Sequence, residues 1–231
     1  LDGCAFYAAK SASDGKRRFL FGWNPTRRGE KDDGPWDWGG NLVVHELVQQ
    51  ADGQLGVRIP ASVSKAFSRP APTLAMMSAG NVKQGTGTLI LDAKRSFAAR
   101  ALGTQPPLCK ISARAKFDAD TRELGLMFRA SSDLDNGYYV RLEPHAQRLV
   151  FDMWPRRLEL SHMVELERPL DLRGTGAADI TVILDRNMGV AYINDEVAMN
   201  FRAYDLPEGT WGFFATGGSV TFSEISVSTL S

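Results

Sequence analysis

Alternation of apolar and polar residues with a period of two governs the chain from about residue 85 onward. Lys110–Phe117 puts Ile111, Ala113, Ala115 and Phe117 on one face, and Leu124–Arg129, Tyr138–Leu142 and Arg148–Trp154 repeat the pattern. Asp179–Leu184, Val190–Ile193, Ala198–Tyr204, Thr210–Ala215 and Val220–Val227 continue it, so at least eight short strands are expected. Asp185-Arg186-Asn187-Met188-Gly189 and Asn194-Asp195-Glu196 fall between alternating runs and read as hairpin turns. No stretch of twelve residues carries a helical apolar stripe. Residues 75–231 therefore read as an all-β unit, a two-sheet sandwich.

The first sixty residues differ. They hold Trp23, Trp36 and Trp38, and two strand-like runs, Arg18–Trp23 and Asn41–Gln49, flank a polar loop. Two or three strands cannot make a core of their own, so residues 1–59 must pack on the sandwich, on a second copy, or on another polypeptide. Pro60, Pro70 and Pro72 mark residues 60–74 as a linker.

Composition narrows the function classes. The chain has 231 residues and equal numbers of basic and acidic side chains, 27 each, so no net field draws it to nucleic acid or to an anionic membrane. No 18-residue apolar run predicts a membrane span. Cys4 and Cys109 are too few for a disulfide framework and read as two separate buried thiols. Neither a cytoplasmic nor a secreted location is excluded. Leu1 begins without Met or a signal-like start, as if in the middle of a protein.

Motifs that could carry chemistry reduce to structural readings. Gly85-Thr86-Gly87 and Gly174-Thr175-Gly176 lack the strand–turn–helix context of a phosphate loop. His45, His145 and His162 have no spacing suited to zinc, and no metal or cofactor site is expected. The carboxylates of Asp195 and Glu196, adjacent in a turn, point apart. Cys109 has no base partner, and Arg27-Arg28 is balanced by Glu30, Asp32 and Asp33. No catalytic set emerges from the residues themselves.

One order of residues is nevertheless distinctive. Phe6-Tyr7-Ala8 is followed by Gly15-Lys16-Arg17-Arg18-Phe19-Leu20-Phe21-Gly22-Trp23, then by Trp38-Gly39-Gly40-Asn41-Leu42-Val43-Val44-His45-Glu46-Leu47. Val190–Arg202 adds a hairpin. This order resembles glycoside hydrolase family 32, the invertase, inulinase and levanase group. The resemblance implies a five-bladed β-propeller followed by a concanavalin-like jelly-roll sandwich, with this chain as the last propeller strands plus that sandwich. It implies a carbohydrate substrate with β-fructosyl bonds, and Trp38 as a residue lining the fructosyl pocket. The family's carboxylate motifs, of N-D-P-N-G, R-D-P and E-C type, do not occur here, so no catalytic residue carries over. Ala5 stands where an acidic residue is common, and His45 where Arg is usual.

Three readings follow. The chain is a portion of a fructosidase that completes and stabilises its propeller, a stand-alone carbohydrate-binding module using Tyr138, Tyr139 and Trp154, or a structural and dimerising scaffold. The first makes the missing N-terminal propeller polypeptide a partner. In its absence residues 1–59 should self-associate or fold back on the sandwich, with Phe19, Phe21 and Trp23 on an apolar face and Trp36 and Trp38 in the seam.

Overall fold

A computed structural model describes residues 1–156 and 163–231; His162 lies outside the described residues. The N-terminal sheet is an antiparallel meander of β1 (Tyr7–Ser13), β2 (Arg18–Arg27), β3 (Trp36–Gln49) and β4 (Leu55–Arg58), in that spatial order. The two runs legible in the sequence are thus interior strands, not edges. β1 (YAAKSAS) has no apolar alternation because every residue is exposed, and β4 is only four residues long, so periodicity found neither.

Residues 60–74, expected as a linker, are tied down. Helix α1 (Ala61–Ala66) is followed by β5 (Arg69–Pro70), which pairs with the last strand, and Leu74 N donates to Leu102 O at 2.8 Å. The remaining strands are β6 (Ser78–Ala79), β7 (Asn81–Gly85), β8 (Thr88–Asp92), β9 (Phe97–Thr104), β10 (Leu108–Phe117), β11 (Glu123–Ala130) and β12 (Gly137–Glu143). They continue through β13 (Arg148–Trp154), β14 (Leu166–Pro169), β15 (Ala177–Asp185), β16 (Met188–Ile193), β17 (Val197–Arg202), β18 (Thr210–Thr216) and β19 (Ser219–Thr229).

These strands form two stacked antiparallel sheets. One runs β17-β16-β15-β10-β19-β8-β7, with β5 beside β19, and the other runs β14-β13-β12-β11-β18-β9-β6. The alternation read from sequence is the alternation of burial: Ile111, Ala113, Ala115, Ile180, Val182 and Leu184 all face the shared core, and half-buried Phe117 packs against it. Aromatic stacking fills the centre, with Phe151 and Phe201 rings 4.5 Å apart and Phe213 and Phe222 4.4 Å apart. The two expected turns are real. Asn194 and Asp195, both at φ 56°, close the β16–β17 hairpin in the left-handed conformation that such tight turns require. Cys109 is buried, but Cys4 is exposed, against the expectation of two buried thiols, because it precedes the sheet in the loop before β1.

The N-terminal sheet lies on the outer face of the β16–β17 hairpin. Val43 and Val57 meet Val190, Tyr192 and Ala198 there, joined by half-buried Phe6, Leu47 and Ile59. Alternation then turns the other face of β2, with half-buried Phe19, Phe21 and Trp23, away from the sandwich, cross-strand in that order from buried Glu46, Val44 and exposed Leu42 of β3.

Candidate functional site

Trp38 and its surroundings are the first candidate. It is 54% exposed on β3, and its backbone φ of 39° is unusual for a bulky residue. Tyr7 packs on it with ring centroids 4.5 Å apart, and Tyr7 in turn meets Trp23 edge to face at 5.3 Å. Exposed Leu42 lies directly across from Trp23. Trp38 is therefore not in the seam, contrary to the expectation that paired it with Trp36. The backbone turn at Trp38 sends the two indoles to different surroundings. Half-buried Trp36 lies under the Arg27 guanidinium, 4.3 Å from its ring centre, and Arg27 reaches Glu165 at 3.3 Å.

The seam holds this surface in place through buried polar groups whose pairing the sequence does not show. The Arg202 guanidinium, at the end of β17, donates to Asn24 O at 2.7 Å, Asn41 Oδ1 at 2.8 Å, Asn187 Oδ1 at 2.7 Å, Asn24 Oδ1 at 3.1 Å and Pro25 O at 3.2 Å. Asn24 Nδ2 returns a bond to Phe201 O at 2.9 Å. Burial lowers the Arg202 pKa, since all its hydrogen-bonded acceptors are neutral. At the other end of the seam, the Asp32 carboxylate accepts from Tyr138 OH and from Tyr204 N, the latter at 3.2 Å. Desolvation raises the Asp32 pKa despite these bonds and raises that of the Tyr138 hydroxyl as well. Asp32 is thus not part of a solvated loop, as its place in a charge-balanced run suggested.

His45 is buried between Tyr192 OH, 2.9 Å from Nδ1, and Asp2 Oδ2, 2.8 Å from Nε2. Asp2 also accepts from Asn200 N at 3.0 Å and from the Asn200 amide side chain. The residue that departs from the family pattern thus anchors the start of the chain to the sandwich.

The sandwich offers the second candidate. Of the three aromatics suggested for glycan contact, Tyr138 is in the core, where alternation along β12 turns it inward. Tyr139 and Trp154 face outward from the seven-stranded sheet and line a cleft of about 430 Å³ with Phe97, Phe214, Arg141 and Asp152. Arg141 and Asp152 were legible only as polar positions of alternating strands. Among the described residues, no group of three or more His, Cys, Asp or Glu side chains is placed to hold a metal ion, and no helix is long and apolar enough to cross a membrane.

No family model matches the sequence, and no curated protein matches it either. Solved structures do. An Aspergillus kawachii β-fructofuranosidase shares 16% identity over 98% of this chain and 46% of its own, with a TM-score of 0.66. An exo-inulinase from Aspergillus awamori shares 14% identity over 99% of this chain and 44% of its own, at 0.65. The carbohydrate-binding module CBM66 from Bacillus subtilis shares 11% identity over 69% of this chain and 97% of its own, at 0.55. The chain spans less than half the length of the two enzymes, and its all-β fold is the fold of that part of them.

Proposed function

We propose that this chain is the C-terminal part of a retaining β-fructosidase of glycoside hydrolase family 32, carrying the last blade of a five-bladed propeller and the concanavalin-like sandwich behind it. The observation that carries the reading is the two-sided N-terminal sheet. One face is buried on the sandwich, while the other turns Phe19, Phe21, Trp23 and exposed Leu42 outward. A four-stranded meander with a second apolar face is what a propeller blade needs, because each blade packs on its neighbour. The preceding blades of the same protein are then its natural occupant. In their absence the same face would favour self-association.

On this reading residues 1–59 complete the propeller, residues 60–74 lead into the sandwich at 75–231, and Trp38 lines the fructosyl pocket, its indole covering the C–H side of the sugar with Tyr7 as its brace. Retaining hydrolysis of sucrose or fructans needs a nucleophile and an acid/base carboxyl about 5–5.5 Å apart, and upstream motifs supply both. No cofactor is called for. The test is direct. The coding DNA upstream of Leu1 should encode, in frame, four further blades with the N-D-P-N-G-type, R-D-P and E-C motifs. The longer product should hydrolyse sucrose, levan or inulin, and residues 1–231 alone should not. An upstream frame without propeller blades, or turnover by residues 1–231, overturns the proposal.

The likeness to a carbohydrate-binding module gives a second reading, for the sandwich alone, as a sugar-binding unit. Exposed Trp154, at the mouth of a cleft floored by buried Tyr139, favours it.

A further inference from the structure

The cleft on the seven-stranded sheet lies on the side of the sandwich away from the N-terminal sheet, which packs on the other sheet. Its volume of about 430 Å³ falls within the ~300–1,000 Å³ of small-molecule sites. The floor is aromatic: Tyr139 meets Phe214 edge to face at 4.9 Å, and Phe214 stacks on Phe97 at 6.2 Å. Trp154, the last residue of β13, stands at the rim and is 58% exposed.

The wall is polar and already assembled. The Arg141 guanidinium is held by Glu143 at 2.8 Å and Asp152 at 3.2 Å, and Arg156 reaches Asp152 at 2.6 Å. Arg141 and Asp152 are nearly buried, so their remaining hydrogen-bonding positions are fixed in direction before any ligand arrives. Burial pushes the Tyr139 hydroxyl up to about 12, which keeps it protonated as a donor.

Charge selects among ligands. Among the described residues, Glu123, Asp135 and Asp152 line the cleft against Arg141 and Arg156, one more acidic group than basic, which disfavours an anion. A neutral sugar fits all three features. Its C–H faces suit indole and phenol rings, and its hydroxyls both donate and accept, as fixed guanidinium and carboxylate groups require. We infer that this cleft binds the end of a neutral oligosaccharide, with Trp154 as the stacking platform and Arg141 and Asp152 as the hydroxyl readers. The inference rests on the sugar-binding reading of the sandwich and is independent of the propeller reading.

Calorimetric titration of residues 1–231 tests it, using 1-kestose, levan oligosaccharides, cellotetraose and xylotetraose, with trigalacturonate as the anionic control. At least one neutral oligosaccharide should bind. Trp154→Ala should weaken it roughly tenfold or more, and Trp154→Phe should retain most of the affinity. No neutral sugar bound up to about 10 mM removes the site, and with no trigalacturonate binding either, the sugar-binding reading goes with it; tighter binding of trigalacturonate than of any neutral sugar overturns the inference of a neutral ligand and leaves the sugar-binding reading standing. Neutral-sugar binding that survives Trp154→Ala removes this site but leaves the sandwich reading or the Trp38 pocket standing.

Discussion

Replacing Arg202 by Ala tests how the two parts of the molecule are held together. The wild-type guanidinium satisfies Asn24 O, Asn24 Oδ1, Pro25 O, Asn41 Oδ1 and Asn187 Oδ1 in a buried site. Truncation removes every donor at once and leaves these acceptors to water or to nothing. A buried acceptor left unsatisfied costs about 1–3 kcal/mol, but neighbours relax and water enters, so the simple sum overstates the loss. Removal of the charge itself relieves part of the desolvation that lowers the Arg202 pKa. The net expectation is a loss of about 3–5 kcal/mol, which for a domain of this size lowers the melting temperature by roughly 6–20 °C. The loss should fall mainly on residues 1–59. Urea unfolding followed by tryptophan fluorescence can see this, because Trp23, Trp36 and Trp38 report on the N-terminal sheet and Trp154 and Trp211 on the sandwich. Arg202→Ala should split one transition into two, the earlier one belonging to the N-terminal sheet. A single transition displaced by less than about 0.5 kcal/mol would refute the claim that this residue fastens the seam.

Other outcomes follow from the same geometry. Val182→Asp places a carboxylate opposite Ile111 and Ala191 in the dry core and should cost several kcal/mol; unchanged thermal stability would mean that β15 is out of register by one residue. The folded-state pKa of Asp32 is raised, so between the ordinary value of 3.8 and that higher value the native state binds more protons than the unfolded one, and stability falls as pH rises through this window. Asp32→Asn should therefore gain stability relative to wild type as pH rises above about 4. Equal pH profiles for the two proteins would contradict this. Exposed Cys4 should react with a thiol reagent at pH 8 in the native protein, while buried Cys109, its pKa pushed up to about 12, should react only on unfolding. Two fast thiols would show that the β10 core face is open.

Much of the fold was legible in the sequence because burial on a sheet has a period of two. Once Ile111, Ala113 and Ala115 share a face, steric alternation leaves no choice about which residues face the core. The hairpin at Asn194-Asp195 was equally local, since few residues tolerate its left-handed backbone. Strands without alternation were invisible: β1 is exposed throughout and so carries no apolar signal.

The sites were decided by tertiary structure. Trp38 was singled out by a resemblance in residue order, but only the fold separates it from Trp36 and sets it on Tyr7. Trp154 and Tyr139 were named as aromatics, yet nothing local distinguishes Tyr139, facing the cleft, from Tyr138, facing the core, until the register of β12 is known. Arg202 is close to Asn24 although 178 residues separate them, and Asp2 meets His45 across 43. Side-chain period is a property of a strand and can be read from it. The meeting of distant polar groups depends on how two sheets stack, which no single segment encodes.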